Sequence, residues 1–126
     1  VEGIGGLIVP ITRRYNVADL ALQMGLPLII VSRLRLGTLN HTLLTINAAR
    51  QHGLKIKGVI LNPSDAGEVN AIEQEQGKLI EEFSDTPVLG TCPFIEDVSA
   101  KGMEKNLKLL QEEFQTHHFF ESDLNS

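Results

Sequence analysis

Four short apolar runs, each followed by a stretch with helical spacing, constrain the fold of this chain most strongly. The runs cover residues 6–9, 27–31, 58–61 and 87–89, and they are almost continuously apolar. Continuous apolar character is typical of parallel strands that are covered on both faces of a sheet. The order βαβαβαβα therefore predicts an α/β fold, an open and mostly parallel sheet with helices on both faces.

The stretches between the runs carry apolar residues at helical spacing. They cover residues 17–24, 39–51, 69–83 and 103–114, and the first two are followed by Gly25 and by His52-Gly53. Glycine is the preferred residue just after a helix, so these positions indicate where the first two helices end. The third stripe contains one polar member, Gln76.

Composition limits the class of protein. With 126 residues, we expect one domain, residues 1–120, followed by a polar tail, residues 121–126. A content of 42% hydrophobic and 21% charged residues excludes a disordered tail, a collagen-like repeat and a disulfide scaffold. The net charge of −5 disfavours nucleic acid as a partner. The single cysteine, Cys92, and the absence of a long apolar run favour a cytoplasmic chain that does not bind a membrane.

Ligands bind open parallel sheets at the carboxyl ends of the strands. The four runs are followed by residues 10–12, residues 32–38, Asn62-Pro63-Ser64 and Cys92-Pro93-Phe94. Three of these four sets are polar or turn-forming, as the rim of a binding site would be.

Two segments favour phosphate or carboxylate chemistry. Glu2 lies beside glycines that let the backbone approach a phosphate, and its carboxylate could hold Mg²⁺; alternatively it is an exposed residue before a turn. The turn from Gly37 to Asn40 precedes a helix, whose free N–H groups attract an anion. Alternatively, Thr38 is simply the N-cap of that helix, a contribution of ~1 kcal/mol. Arg33 and Arg35 add positive charge nearby, or are merely solvated.

Asn62 has the acceptor and the two donors needed to recognise adenine, but it could equally be a turn residue before Pro63. We interpret Cys92 as a small buried hydrophobe and His41 as a packing or surface residue. His117 and His118 are interpreted as tail residues, because adjacent residues on a helix point apart.

Four motifs, in order, resemble the dethiobiotin synthetase family. Val1-Glu2-Gly3-Ile4-Gly5-Gly6 followed by Val9-Pro10 is similar to its Val-Glu-Gly-x-Gly-Gly segment, and the stretch from Leu36 to His41 is similar to its Leu-Gly-x-x-Asn-His segment. Gly58 to Asn62 resembles its strand with the adenine-contacting Asn, and Gly90 to Pro93 its Gly-x-x-Pro loop. The resemblance covers residues 1 to about 94 and is confined to the carboxyl-terminal portion of the family.

The resemblance implies a partial P-loop NTPase-like domain that uses ATP and Mg²⁺. The implied reaction closes the ureido ring of dethiobiotin from 7,8-diaminononanoate and CO₂, in a homodimer, without a covalent nucleophile from this chain. It assigns Mg²⁺ to Glu2. The implied ATP-binding residues are Glu2, Gly3, Ile4, Gly5, Asn62, Pro63, Pro93, Phe94 and Ile95. The implied substrate-binding residues are Val9, Pro10, Gly37, Thr38, Leu39 and Asn40.

The sequence departs from the family in two respects. Pro63 follows Asn62 where the family often has Arg, which removes a backbone donor, and the phosphate loop is missing. It contains no Gly-x-x-x-x-Gly-Lys-[Ser/Thr] loop to hold the β- and γ-phosphates. We therefore expect the chain alone to bind ATP weakly and to show no turnover. Two other classes stay open: a related P-loop amidoligase or ATPase, and a non-catalytic module that has lost ATP binding.

Overall fold

The computed structural model describes residues 1–3, 5–63 and 71–115. The end of the predicted domain, residues 116–120, and the predicted tail lie outside the described residues, as do His117 and His118. The elements are β1 (Pro10–Thr12), β2 (Tyr15–Asn16), α1 (Val17–Met24), β3 (Leu28–Leu34), α2 (Thr38–Gln51), β4 (Ile56–Pro63), α3 (Ala71–Ser84), β5 (Val88–Thr91) and α4 (Ala100–Gln115).

Three of the four predicted strands form a parallel sheet in the order β3-β4-β5. Each strand is joined to the next by a helix, α2 after β3 and α3 after β4. The predicted α/β class with a parallel sheet and flanking helices is therefore confirmed.

The prediction of a strand at residues 6–9 is wrong. The Val9 N–H donates to the Gly6 carbonyl across a turn at 3.3 Å, and Gly5 and Gly6 both have positive φ angles. Glycine adopts such angles without steric cost, so the run bends instead of extending. The strand begins only at Pro10, where β1 pairs antiparallel with β2 in a separate hairpin.

The main core lies between the sheet and the helices α2 and α3. Its buried members are Leu34, Ile46, Val59, Leu61 and Ile80, and Ile46, Val59 and Ile80 are fully enclosed. Burial of this kind stabilises a domain by about 25 cal/mol for each Å² of apolar surface. The carboxyl ends of the three strands are thus held at one edge by a packed interior.

Helix α1 packs through a second, smaller cluster formed by Ala18, Ala49 and Leu54. A capping box begins this helix: the Asn16 side chain accepts from the Asp19 N–H, and the Asp19 side chain accepts from the Asn16 N–H. Gly25 ends it in the left-handed conformation, as the sequence predicts. Among the described residues, no helix is both long enough and apolar enough to cross a membrane.

Candidate functional site

Parallel pairing aligns the carboxyl ends of β3, β4 and β5. Arg33 lies opposite Asn62, and Leu61 lies opposite Thr91. The Cys92 N–H then donates to the Leu61 carbonyl at 2.7 Å, which extends the β4–β5 contact by one residue. The chain that follows β5 therefore starts directly beside Asn62.

This edge carries an exposed amide and an exposed aromatic ring. Asn62 is exposed and Phe94 is 42% exposed, whereas Pro63, Pro93 and Ile95 are half-buried. An amide offers two donors and an acceptor, and an aromatic ring offers a stacking surface. Five residues that the resemblance assigns to ATP thus lie at or follow the ends of neighbouring strands β4 and β5: Asn62, Pro63, Pro93, Phe94 and Ile95.

The segment after β5 is fastened to the start of α4 around Asp97. The Ser99 N–H donates to Asp97 Oδ1 at 2.9 Å, and Asn106 Nδ2 donates to the Asp97 carbonyl at 2.6 Å. The Gly102 N–H donates to Ser99 Oγ at 3.3 Å, as at a helix N-cap. The hydrogen bonds from Ser99 hold the pKa of the Asp97 carboxyl below its usual value.

Sequence reasoning missed this group of residues. Ser99, three residues before Gly102 and just before an apolar stripe, was the available signal for a helix start. The contact from Asn106 back to Asp97 has no local sequence signature. Together these bonds hold the chain at Asp97, three residues after Phe94, against the start of α4.

The turn from β3 into α2 is held by the Thr38 hydroxyl. Thr38 Oγ1 accepts from the Arg35 N–H at 3.2 Å and donates to the Arg33 carbonyl. The prediction that Thr38 is the N-cap is wrong, because Gly37 occupies that position in the left-handed conformation and makes no side-chain cap. The Thr38 hydroxyl is therefore already used by the turn.

The remaining residues of this turn divide between core and surface. The Leu39 side chain packs against the main core, while Asn40 and His41 are exposed. Residues in the first turn of a helix have no carbonyl four residues back to accept their N–H groups. The Thr38 N–H already donates to the Arg35 carbonyl at 3.0 Å, so a carboxylate at this turn would meet the N–H groups of Leu39 and Asn40 and the Asn40 side chain, and it would not meet the Leu39 side chain. His41 has the surface position expected for it.

Gln76 of α3 hydrogen-bonds to the same turn, and sequence reasoning missed this role. Its Nε2 donates to the Arg35 carbonyl at 3.3 Å, and the residue is 4% exposed. Its position as a polar member of an apolar stripe was the sequence signal. Below the turn, the buried hydroxyls of Ser32 and Thr42 bond to each other and join β3 to α2.

The glycine-rich segment lies in a different place. Glu2 and Gly3 line a groove against α1 and β3, and neither Asn62 nor Phe94 lines that groove. Ile4 lies outside the described residues, and Gly5 is exposed with a φ of 89°. Val9 and Pro10 are exposed. The assignment of these residues to phosphate and substrate stays a prediction.

Glu2 offers a single carboxylate to a Mg²⁺ ion. Residues 1–3, 5–63 and 71–115 contain no group of three or more His, Cys, Asp or Glu residues that could hold a metal ion. Glu2 is exposed and is followed by Gly3. Mg²⁺ commonly takes one or two carboxylates and completes its shell with water and phosphate oxygens, so a single carboxylate is compatible with it.

Cys92 is half-buried, so it is less enclosed than a core hydrophobe would be. Its contribution to the site is the backbone bond to Leu61 described above.

Comparison with known proteins extends these observations. Residues 1–102 match the family model described as an AAA domain. The chain is 51% identical over 96 residues to the ATP-dependent dethiobiotin synthetase BioD of Bacillus cereus strain G9842, which covers 76% of this chain and 39% of the relative. The protein of the same name from Bacillus thuringiensis strain Al Hakam gives the same identity and coverage. That of Bacillus cereus strain B4264 is 49% identical over 94 residues, 75% of this chain and 38% of the relative.

The chain spans about two fifths of the length of the curated relatives it matches. The matched residues include the parallel sheet, the turn before α2 and the segment after β5. The chain belongs to the dethiobiotin synthetase family.

Proposed function

We propose that this chain supplies the adenine-binding edge and the substrate turn of an ATP- and Mg²⁺-dependent dethiobiotin synthetase of the cytoplasm. The observation that carries the proposal is the exposed Asn62 amide beside the anchored segment with Phe94, at the carboxyl edge of a parallel sheet. The names of the relatives support ATP as the nucleotide.

The proposed reaction closes a ureido ring. One amine of 7,8-diaminononanoate takes up CO₂ as a carbamate, the carbamate accepts the γ-phosphoryl group of ATP, and the second amine displaces phosphate. Mg²⁺ would neutralise phosphate charge in this reaction. Catalysis of this kind depends on positioning, so no residue of this chain needs to form a covalent bond.

The chain's own residues would bind and orient the reactants. Glu2 would hold Mg²⁺, and Gly3, Ile4 and Gly5 would line the phosphates. Adenine would hydrogen-bond to Asn62 and lie against Pro63, Pro93, Phe94 and Ile95. The turn at Gly37, Thr38, Leu39 and Asn40 would receive the substrate carboxylate through its backbone, with Val9 and Pro10 beside the substrate.

A homodimer is part of the proposal. Leu36 in the turn is 93% exposed and Leu44 on α2 is 59% exposed, so apolar side chains surround the proposed carboxylate site. A two-fold interface places the same patch of both copies together, which would cover these side chains. Sedimentation that finds only monomer at every concentration would contradict this part of the proposal.

The adenine edge can be tested on this chain without the phosphate loop. We expect adenosine, titrated into ¹⁵N-labelled protein, to shift the Asn62 side-chain amide and the backbone amides of residues 92–95. Asn62→Ala should abolish these shifts. The exposed Asn47 on α2 offers a matched control, since Asn47→Ala removes the same group away from this edge.

Two outcomes would contradict the proposal. One is a set of adenosine-induced shifts that survives Asn62→Ala. The other is binding of ATP by this chain alone with a Kd tighter than ~10 μM, about −7 kcal/mol, which would mean that the phosphate site lies within it. An absence of any adenosine shift at millimolar concentration would favour a non-catalytic module.

A further inference from the structure

We propose that Gln76 is a positioning residue for the turn that is proposed to receive the substrate carboxylate. Its side-chain amide holds the Arg35 carbonyl, and thereby the backbone that presents the Leu39 and Asn40 N–H groups. The inference rests on the proposed function of this turn, and it adds to that function a residue that does not itself contact the substrate.

A glycine in the middle of α3 lets this helix lie close to the sheet beside the turn. A Cβ on Gly77 would lie 3.3 Å from Leu61 Cδ1 and 3.8 Å from Val88 Cγ1. Glycine inside a helix is unfavourable, so its presence there indicates a packing requirement. Gln76, the preceding residue, is 4% exposed, and its Nε2 reaches the Arg35 carbonyl just beyond the end of β3.

The Arg35 carbonyl receives two hydrogen bonds. The Thr38 N–H donates to it at 3.0 Å, and Gln76 Nε2 donates to it at 3.3 Å. A carbonyl oxygen has two lone pairs, so both bonds can form together, and the second limits how far the carbonyl can rotate. Because Thr38 directly precedes Leu39 and Asn40, a rotation that breaks the Thr38 bond would also displace their N–H groups.

The other polar atom of the Gln76 side chain indicates that this amide is not there for stability. Gln76 Oε1 is buried and, among the described residues, has no hydrogen-bond partner. An unpartnered buried acceptor destabilises a folded chain, so an apolar side chain of the same length would suit this apolar stripe better. A residue that departs from its local pattern at a cost in stability is commonly a functional one. The bond from Nε2 to the turn is the contribution that remains.

The test is a titration of the ¹⁵N-labelled chain with 7,8-diaminononanoate, followed at the backbone amides of Leu39 and Asn40. We expect the wild-type amides to shift and the fitted Kd to rise at least about tenfold in Gln76→Met, because small displacements of binding groups are costly. Methionine is unbranched, has about the length of glutamine and carries no amide, so the variant removes the bond without opening a large cavity. The adenosine-induced shifts of Asn62 should be the same in both proteins.

Stability measurements separate positioning from an ordinary structural bond. Gln76→Met should unfold at the urea concentration of the wild type or at a higher one, since it also removes the unpartnered oxygen. Without ligand, its Thr38 amide should exchange at least about threefold faster, because one bond fewer then holds the Arg35 carbonyl. Gln51→Met is the matched control: Gln51 is exposed at the end of α2, so this variant should change neither the Kd nor the urea midpoint nor the exchange.

Three results would overturn the inference. A wild-type Kd in Gln76→Met would refute the role of Gln76 and leave the proposed substrate turn intact. A urea midpoint below that of the wild type would make Gln76 an ordinary stabilising residue. An absence of shifts at Leu39 and Asn40 in the wild-type chain, even at millimolar 7,8-diaminononanoate, would refute the substrate turn itself and this inference with it.

Discussion

The hydroxyl pair between Ser32 and Thr42 offers a quantitative test of how the β3–α2 turn is held. The two residues are 5% and 3% exposed, and their hydroxyls bond to each other between a strand and a helix. Ser32→Ala leaves the Thr42 hydroxyl without this partner in the interior, and Thr42→Val does the same to Ser32. An unsatisfied buried polar group costs about 1–3 kcal/mol.

The double variant separates an interaction from two independent losses. Each single substitution should lower the free energy of unfolding by ~1.5 kcal/mol. The double variant leaves no orphaned hydroxyl, so it should lose less than ~0.5 kcal/mol instead of the ~3 kcal/mol expected from additive effects, a coupling of at least ~2.5 kcal/mol. For a domain of this size, ~1.5 kcal/mol corresponds to a fall in Tm of about 4–6 °C for each single variant.

Urea unfolding followed by circular dichroism measures these values. Thr45→Val is the control on the same helix, because the Thr45 hydroxyl donates to the His41 carbonyl at 2.9 Å near the surface. It should change stability by less than ~0.5 kcal/mol. Single effects that simply add in the double variant would refute the reasoning. Thr42 would then find another partner, such as the carbonyl four residues before it.

Three other substitutions test the sheet and the segment after β5. Gly58→Ala should destabilise by ~1–3 kcal/mol in the same urea assay, because its Cβ would lie 2.7 Å from the Pro87 carbonyl oxygen; an unchanged midpoint would contradict this close approach. Gly102→Ala should disturb the start of α4, since its Cβ would lie 2.4 Å from the Asp97 carbonyl oxygen. The amide chemical shifts of residues 93–99 would report this change, and unmoved shifts would contradict the prediction. The lowered pKa of Asp97 contributes stability above the usual aspartate pKa of 3.8, and that contribution is lost as the pH falls through the lower folded value. Asp97→Asn should therefore flatten the stability profile between pH 2 and 5, and an unaltered profile would mean that the Ser99 contact does not form in solution.

The parallel sheet follows from sequence because its signals are local. The apolar runs at 27–31, 58–61 and 87–89 mark β3, β4 and β5, although the strands extend up to three residues further. Some of those extra residues, such as Arg33 and Asn62, are polar and are held in the ladder by their neighbours. Tertiary pairing sets strand ends, so apolar character alone underestimates them.

The first run was mispredicted because its glycines outweigh its apolar side chains. Gly5 and Gly6 adopt positive φ angles, and the chain then reverses between Thr12 and Tyr15 to form the hairpin. An apolar run indicates burial, but it does not state which element will cover it. Residues 6–9 carried the apolar signal of a strand without the pairing that makes one.

The candidate site shows the same division between local and distant information. Asn62 and Phe94 could be assigned to one edge from the order of strands, since parallel strands end together. The role of Gln76 depends on a bond from α3 to the Arg35 carbonyl, 41 residues earlier in the chain, and no spacing rule predicts such a contact.

The sequence of β3 and its position in the sheet disagree, because an apolar strand lies at an edge of the described sheet. Local sequence usually agrees with the fold in a natural protein, so a disagreement points to a function or to a missing neighbour. Here Ile29 and Val31 are apolar on an exposed edge, whereas the polar residues of the candidate site lie at the ends of the strands, as a binding site requires. The sequence predicts that both faces of β3 are covered. Ile29 and Val31 are informative because the described structure leaves them exposed.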